Sequence, residues 1–114
     1  MTEKAVSYHE LEQGDIIFVS LNPTKGHEQK GYRPYIVLTK KFGYLNYMHG
    51  VAPITSNAKS FPLHITLPDQ LATKGEILLE HHRMIDLETR EFRFIEKAPK
   101  ELIEECSMMI KLLY

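Results

Sequence analysis

Two polar segments of the sequence carry the side chains that are best suited to chemistry on a phosphate group. The first segment, residues 26–34, contains Arg33, and the second, residues 51–57, contains Thr55 and Ser56. A guanidinium is permanently charged and planar, so it matches the oxygens of a phosphate, and a hydroxyl can donate a hydrogen bond to a non-bridging oxygen. Together these residue types indicate a phosphoryl site.

Ordinary structural roles stay open for the same residues. Arg33 can be a rim arginine that pairs with Glu28, and Thr55 can be a turn residue whose hydroxyl binds its own backbone. Residue chemistry alone favours these ordinary roles over a phosphoryl site.

Metal and nucleotide chemistry find little support in the sequence. His81 and His82 are adjacent, so on a strand they point to opposite faces and cannot chelate one ion together. The other four histidines show no ligand spacing and no accompanying carboxylate cluster: His9, His27, His49 and His64. The glycine-rich dinucleotide motif, the Walker loop and the GxSxG elbow do not occur. We therefore expect neither a metal site nor a cofactor.

Length and composition predict one globular domain over residues 1–114. Of the 114 residues, 43% are hydrophobic and 25% are charged, and the net charge is -1. The charge is unevenly distributed: residues 22–59 contain six basic residues and one acidic residue, whereas residues 75–114 contain six basic and nine acidic residues. The basic central third can therefore meet a polyanion, and a solvated face of scattered lysines is the ordinary alternative.

The sequence also predicts the cellular compartment. No apolar run approaches the roughly 18 residues that cross a bilayer, and the first 15 residues contain no apolar signal core. Cys106 is the only cysteine of the sequence, so it has no partner for a disulfide within the chain. We expect a cytoplasmic protein without a membrane span.

The elements that must position the two polar segments are short strands. Runs of β-branched, aromatic or alternating apolar residues predict six strands, at residues 16–19, 35–39, 47–54, 61–67, 75–79 and 92–95. Pro34 disfavours a helical conformation for Arg33, so Arg33 is expected to be extended where the loop enters the second strand. Six short strands in a chain of this length favour a compact antiparallel barrel or curled sheet over a doubly wound α/β fold.

A helical pattern follows Pro99, which suits a first helical turn. Six apolar residues fall on one face of the predicted helix: Leu102, Ile103, Cys106, Met109, Ile110 and Leu113. The helix is expected to cap the sheet, with Cys106 as a core residue and not as a reactive thiol. The predicted class is therefore mainly β with a C-terminal helix.

Three segments, in the expected order, resemble the motifs of one protein family. Residues 14–34 resemble the opening signature of the MazF/PemK (Kid) toxins of bacterial toxin-antitoxin pairs. Residues 53–56, Pro-Ile-Thr-Ser, are similar to the second motif, and residues 77–86 are similar to the third. The resemblance implies a single-domain SH3-like barrel of the type that MazF, PemK and CcdB share.

The resemblance also implies a function. Family members are sequence-specific, metal-independent endoribonucleases that act on single-stranded mRNA as two-fold homodimers. By position, the family's catalytic arginine falls on Arg33 and its catalytic threonine on Thr55. The implied reaction is attack of the RNA 2′-hydroxyl on the neighbouring phosphate, which leaves 2′,3′-cyclic phosphate and 5′-hydroxyl ends.

The general base and the RNA contacts are assigned by the same resemblance. Glu28 matches the family's loop glutamate and is the first choice for the base, with His27 as the alternative. Lys25, His27, Gln29 and Ser56 are assigned to RNA binding. Three tyrosines can stack on bases or pack in the core or a dimer interface: Tyr32, Tyr44 and Tyr47.

The third motif departs from the family pattern at His81, where a glutamine is common. An imidazole can hydrogen-bond a base, stack on it and change its own charge, so the base preference is expected to differ. Arg83 is assigned to the RNA backbone. A surface pair with Glu80 or Asp86 is the alternative for both residues.

Two other functions stay open. The same barrel carries the gyrase poison CcdB, which acts by holding a protein, so a binding toxin without nuclease activity is the alternative. A degenerate relative that serves only as an interaction module is the third hypothesis. Under each of the three hypotheses we expect a MazE-like antitoxin. It presents an extended, acidic and apolar segment to a groove formed by the basic central third of the chain.

Overall fold

The computed structural model describes residues 7–20, 31–41, 48–57 and 62–114. The described strands are β1 (Asp15–Ser20), β2 (Tyr32–Val37), β3 (Met48–Thr55), β4 (His64–Thr66), β5 (Glu76–Leu78), β6 (Arg83–Asp86) and β7 (Phe92–Lys97). The helices are α1 (Lys100–Lys111) and two 3-10 helices, Tyr8–Glu10 and Leu79–His81. The predicted class, mainly β with a C-terminal helix, is confirmed.

All of the described strand pairs are antiparallel, and the strands lie side by side in the order β4-β5-β3-β2-β1-β7. β6 also pairs with β3, on the same edge of β3 as β5. β6 lies opposite residues 48–51, and β5 lies opposite residues 54–55. Both faces of β1 are covered, because Ile16 packs on one face and Ile17 on the other. Burial on both faces explains why the sequence shows continuous apolar runs here instead of alternation.

The two faces of the sheet bury two separate clusters. The first cluster lies under α1 and includes Ile36, Ile54, Leu102 and Cys106. The second cluster lies on the opposite face and combines Tyr35 and Val37 of β2 with residues of the flanking strands. Among these residues are Ile85 of β6 and Phe94 of β7. β6 pairs with β3 and β7 pairs with β1, so these two strands lie on opposite sides of β1, β2 and β3. Both contribute to the second cluster, so the sheet curls around this cluster as a barrel does.

The bounds of two predicted strands differ most from the structure. β2 begins at Tyr32, three residues earlier than predicted, so Arg33 lies within the strand, where it is extended as expected and pairs with Val19. Pro34 is compatible with this position because the register with β3 covers only residues 35–37, and a proline cannot donate to a strand ladder. The predicted strand at residues 61–67 is shorter, His64–Thr66, and residue 61 lies outside the described residues.

The sequence also failed to predict β6. The segment of residues 77–86 contains β5, the 3-10 helix Leu79–His81 and β6, not one strand followed by a loop. Ile77 pairs with Ile54, and Arg83 pairs with Val51. Arg83 is six residues after Ile77, whereas Ile54 is only three residues after Val51, so the β5–β6 segment has three residues more than the stretch of β3 that it pairs with. The three surplus residues form the 3-10 turn, which projects from the edge of the sheet.

The C-terminal helix follows the prediction closely. Pro99 is the N-cap of α1, and Leu102 and Cys106 are buried. No helix in the described part of the chain is long and apolar enough to cross a membrane.

Candidate functional site

The register of β2 and β3 brings Arg33 and Thr55 to the same end of the barrel. Tyr35 and Pro53 are the last pair of the β2–β3 register at this end, and Arg33 and Thr55 each lie two residues beyond that pair. Opposite residues of an antiparallel pair share a face of the sheet, so both side chains lie on the Tyr35 face. Arg33 is exposed and Thr55 is half-buried. The two residues that the sequence analysis selected for phosphate chemistry therefore lie at the same accessible end of the barrel.

Three arginines act electrostatically on the hydroxyl group of Tyr35: Arg33, Arg83 and Arg90. Burial raises the pKa of the Tyr35 phenol, while the positive charges of Arg33, Arg83 and Arg90 oppose that rise without cancelling it. Within the described residues, none of these arginines forms an ion pair with a carboxylate. Three like charges without a described counter-charge make this end of the barrel attractive to an anion.

Arg90 is the candidate that sequence reasoning missed. It lies between β6 and β7, and its Nη1 donates a hydrogen bond to the backbone oxygen of Ser20 at 3.1 Å. Ser20 is the last residue of β1, so the bond fixes Arg90 beside the start of residues 21–30. Arg90 belongs to residues 75–114, which contain more acidic than basic residues. It joins Arg33 and Arg83 at one end of the barrel only because the sheet curls.

The hydroxyl group of Thr55 already takes part in a turn. Its Oγ1 accepts a hydrogen bond from the backbone N–H of Asn57 at 3.2 Å, so the ordinary role that the sequence left open is present. Accepting this bond uses an oxygen lone pair and leaves the hydroxyl proton available for another acceptor. The turn therefore orients the hydroxyl without preventing it from donating to a phosphate. Ser56 follows directly and is exposed.

The 3-10 turn presents His81 to solvent, and the side chain of His81 is 64% exposed. The expectation that His81 and His82 lie on a strand was wrong, because His81 ends the turn and His82 caps it. His82 is half-buried and bonded through both ring nitrogens: its Nδ1 bonds the Leu79 oxygen at 2.7 Å, and its Nε2 bonds the Tyr114 hydroxyl at 2.8 Å. The exposed His81 is therefore the histidine of this turn that can meet a ligand.

The surface pairs left open for the third motif are present only in part. His81 Nε2 lies 3.8 Å from Glu80 Oε2. Arg83 is exposed at the start of β6, and its Coulombic effect on Tyr35 places it with the basic group. Asp86 instead accepts a hydrogen bond from the backbone N–H of Glu88 at 2.8 Å. Arg83 thus faces the candidate site and not a surface carboxylate.

A buried imidazole lies next to this turn. His64, the first residue of β4, has a side chain only 9% exposed, and its two ring nitrogens face two carboxylates. Nε2 is 2.7 Å from Glu80 Oε2, and Nδ1 is 3.3 Å from Glu76 Oε1. Burial would raise the pKa of Glu80, but the bond with His64, the local backbone and the nearby His81 outweigh it and lower that pKa. This contact was not predicted from the sequence, because His64 shows no ligand spacing.

Four of the predicted site residues lie outside the described residues: Lys25, His27, Glu28 and Gln29. Tyr44 and Tyr47 lie outside them too. Tyr32 is described, and its ring centroid lies 5.6 Å from that of Phe18. Phe18 is in turn covered by the guanidinium of Arg93 at 5.8 Å. This aromatic group lies on the face of β1 opposite to the side chains of Val19 and Arg33, so it is separate from the basic group.

Two further features bear on ligands and partners. Among the described residues, no three side chains of His, Cys, Asp or Glu are placed to hold a metal ion. A cavity of about 540 Å³ lies between the strands and the end of α1, with Met84, Ile110 and Tyr114 among its lining residues. Beside it, Met108 and Leu112 expose 64% and 74% of their surface. The cavity and the exposed residues form an apolar surface next to Arg83.

Comparison with known proteins gives a consistent result. Residues 12–114 match the family model of the PemK-like, MazF-like toxins of type II toxin-antitoxin systems. The chain is 36% identical over 115 residues to the endoribonuclease toxin ChpB of Escherichia coli K12, covering 93% of this chain and 96% of ChpB.

Solved structures agree with the family match. The crystal structure of MazF from Deinococcus radiodurans superposes with a TM-score of 0.78 at 30% identity, covering 90% of this chain and 94% of that one. A MazE-MazF crystal structure from the same organism gives a TM-score of 0.75 at 25% identity, covering 90% of this chain and 93% of that one. The predicted fold family is confirmed, and no relative named here is a CcdB-like binding toxin.

Proposed function

The chain belongs to the PemK-like, MazF-like family of type II toxins, and on that basis we propose that it is a sequence-specific, metal-independent endoribonuclease of single-stranded mRNA. The observation that carries the proposal is the charge at one end of the barrel: Arg33, Arg83 and Arg90 all act electrostatically on Tyr35, and Thr55 ends the strand that pairs with β2. RNA is a polyanion whose phosphates suit planar guanidinium groups. The name of ChpB, an endoribonuclease toxin, supports the same activity.

The reaction needs little from the protein except positioning and charge. RNA supplies its own nucleophile, the 2′-hydroxyl, which attacks the adjacent phosphorus while the bond to the 5′-oxygen breaks. The proton of the 2′-hydroxyl passes to a base, and a proton from water reaches the departing 5′-oxygen. The products are a 2′,3′-cyclic phosphate and a 5′-hydroxyl end. Stabilising the extra negative charge on the phosphate is the main catalytic task.

Arg33 and Thr55 divide that task. The Arg33 guanidinium stays protonated, so it cannot serve as the base, but it stabilises the charge that develops on the phosphate oxygens. Thr55, whose oxygen is oriented by the Asn57 amide, donates its hydroxyl proton to a non-bridging oxygen. Glu28 takes the 2′-hydroxyl proton, and His27 is the alternative base. Both are proposed from the family resemblance, because they lie outside the described residues.

The remaining assigned residues hold the RNA on either side of the scissile phosphate. Arg83 and Arg90 bind neighbouring phosphates, and Ser56 adds a hydroxyl beside Thr55. His81 contacts a base, since its imidazole is exposed at the tip of the 3-10 turn. Lys25, His27 and Gln29 contribute contacts from residues 21–30. An mRNA substrate implies that the protein acts in the cytoplasm. From length and composition, residues 1–114 are proposed to form a single toxin domain.

The protein is further proposed to form a homodimer and to bind a MazE-like antitoxin. The apolar surface at the end of α1, with Met84 53% and Leu112 74% exposed, supports burial against a second copy. The MazE-MazF crystal structure supports the antitoxin as a partner for a protein of this fold. An acidic, extended antitoxin segment complements the three arginines and inhibits by occupying the RNA site.

A cleavage experiment in excess EDTA tests the proposed function. Purified protein, free of antitoxin, is incubated with a long single-stranded RNA, and both new ends are mapped. Cuts at a short recurring motif with cyclic phosphate ends are expected, and a substrate with 2′-deoxy sugars at that motif should stay intact. A folded protein that cuts no RNA under these conditions, or cuts the deoxy substrate, contradicts the proposal.

A further inference from the structure

His64 connects two parts of the proposed RNA site that lie on different elements. Its Nδ1 faces Glu76, which lies directly opposite Thr55 in the β3–β5 pair. Its Nε2 bonds Glu80, the residue before His81. One buried imidazole therefore links the strand that neighbours the catalytic threonine to the turn that carries the exposed histidine.

The 3-10 turn Leu79–His81 has few other described contacts on the side that faces β4. It is three residues long, and its N-cap Leu78 makes no side-chain capping bond. The buried side chain of Leu79 anchors its start, and His82 ties its end to the Leu79 oxygen and to Tyr114. Glu80 is the one residue of the turn whose side chain is bonded toward β4, among the residues that the structure describes.

The charge arrangement favours a firm contact. Nε2 of His64 bonds Glu80, and Nδ1 lies within ion-pair distance of a second carboxylate, Glu76. A charge-assisted hydrogen bond between an imidazolium and a carboxylate is short and strong. The 2.7 Å separation of Nε2 and Glu80 Oε2 fits such a bond, and it is buried enough to escape most screening. Two carboxylates of the described residues face this imidazole, Glu76 from β5 and Glu80 from the turn, and His81 lies on the outer side of Glu80.

We propose that His64 is a positioning residue that sets base specificity: through Glu80 it fixes the turn that presents His81 to the RNA. The role rests on the proposed function, because it assumes that His81 reads a base. His64 is too buried to contact RNA itself, so its influence passes through Glu80. Base recognition by hydrogen bonds requires a donor held in a narrow range of positions, and the Glu80 contact adds a restraint toward β4 to those that Leu79 and His82 provide.

The test compares two substitutions at one position. His64→Leu keeps an apolar volume but removes both ring nitrogens, whereas His64→Gln retains an N–H donor near the position of Nε2. Glu96→Gln is the control, because Glu96 also anchors a loop through its carboxylate, by hydrogen bonds from Ala72 and Thr73, but outside the proposed site. If His64→Leu does not fold, Glu80→Ala breaks the same contact from its more exposed partner.

Hydrogen exchange of the His82 amide is the readout that is independent of activity. This amide bonds the Leu79 oxygen at 3.1 Å and so reports closure of the turn. We expect its exchange to be about tenfold faster in His64→Leu, as for the loss of one net hydrogen bond, and close to wild type in His64→Gln and Glu96→Gln. Wild-type exchange in a folded His64→Leu protein would overturn the proposal.

The second readout is the cleavage motif on a long RNA. His64→Leu should lose about tenfold of its discrimination at one base of the motif, and His64→Gln should keep it. Faster exchange with an unchanged motif would overturn the specificity role. An equal loss of base discrimination in His64→Leu and His64→Gln, in proportion to their lowered stability, would also overturn the specificity role. A merely structural role of His64 predicts that result. A wild-type protein that cuts no RNA would refute the proposed function, and the exchange measurement would still decide whether His64 holds the turn.

Discussion

The backbone of Gly75 lies directly against the carbonyl group of Thr55. A Cβ added to Gly75 would overlap both the oxygen and the carbon of that carbonyl and would crowd the Ser56 amide. Gly75 also has a φ of +124°, a conformation that only glycine adopts readily. A glycine two residues before Ile77 of β5 thus determines where the end of β3, and with it the Thr55 hydroxyl, can lie.

Replacement of Gly75 by alanine should therefore impair cleavage more than folding. The added methyl group pushes the end of β3 away, which moves the Thr55 hydroxyl relative to Arg33. We expect Gly75→Ala to reduce the single-turnover rate at least about tenfold, because small displacements of a catalytic group are costly. The stability loss should be about 1–3 kcal/mol, as for other strained backbone positions. Single-turnover cleavage and urea unfolding measure the two effects.

Gly14→Ala is the matched control for this substitution. Gly14 has a φ of +95°, and its added Cβ would meet the side chain of Ile103 on α1, away from the proposed site. The control should lose stability but cut at the wild-type rate per folded molecule. Equal cleavage by folded Gly75→Ala and Gly14→Ala proteins would contradict a catalytic position for Thr55.

Arg90 should contribute to RNA affinity although its segment is acidic overall. Arg90→Ala removes one guanidinium from the group around Tyr35, so RNA should bind several-fold more weakly. The slope of log affinity against log salt should decrease by about 0.7, as expected for one lost contact to a single-stranded phosphate. Binding of an uncleavable 2′-deoxy oligonucleotide at several salt concentrations measures both quantities.

Arg93→Ala controls for the loss of net charge. Arg93 covers Phe18 on the opposite face of the sheet, so its removal changes the charge of the protein equally without touching the basic group. If both variants lose the same affinity and the same salt slope, the effect is one of net charge, and Arg90 has no specific role.

Cys106 should be unreactive in the folded protein. Burial, aided by the charge of Glu105, raises the pKa of this thiol from 9.0 to about 12. Such a pKa leaves about a thousandth of the usual thiolate at pH 8, and the thiolate is the reactive form. A chromogenic disulfide reagent should therefore label Cys106 only after denaturant is added. Labelling of the native protein at the rate of a free thiol would refute the core position.

Acid should weaken the loop that Glu96 anchors. Partial burial would raise the pKa of Glu96, but hydrogen bonds from the Thr73 hydroxyl and from the Ala72 and Thr73 amides outweigh it and lower that pKa. A carboxyl whose pKa is lower in the folded state stabilises the protein above its unfolded pKa, and loses this effect as pH falls through the folded value.

Glu96→Gln should thus cost about 1–2 kcal/mol of unfolding free energy at pH 7. The difference from wild type should shrink below pH 4.5, the ordinary pKa of this group. Urea unfolding of both proteins from pH 7 to pH 3 measures this difference. A difference that stays constant over that range would show that the Glu96 charge adds nothing to stability.

The sequence predicted the parts of the fold that local patterns determine. β1 is a short apolar run between turn residues, and α1 has apolar residues at helical spacing after Pro99, so both could be located to within one or two residues. The barrel followed from the number and spacing of such runs. Arg33 and Thr55 became candidates because their segments combine turn residues with side chains that suit a phosphate, and their catalytic roles were assigned from the family resemblance and stay a prediction.

Contacts between distant segments could not be predicted in this way. The turn that carries His81 exists because β5 and β6 share one edge of β3 in different registers, and register is a property of the pair and not of either strand. Arg90 reaches the basic group only through the curl of the sheet. The contact of His64 with Glu80 joins residues 16 positions apart, and neither residue is exceptional by itself.

The measurement that tests the account most directly is single-turnover cleavage of the mapped RNA motif by wild-type protein, Arg33→Ala and Arg33→Lys. Arg33 is exposed, so both variants should keep the wild-type circular dichroism spectrum and melting temperature. Arg33→Ala should lose at least about a hundredfold in rate, as expected for removal of one charge-stabilising donor. Arg33→Lys should recover only part of it, because an ammonium lacks the planar fork. A folded Arg33→Ala protein that cuts at the wild-type rate would contradict the assignment of the catalytic site.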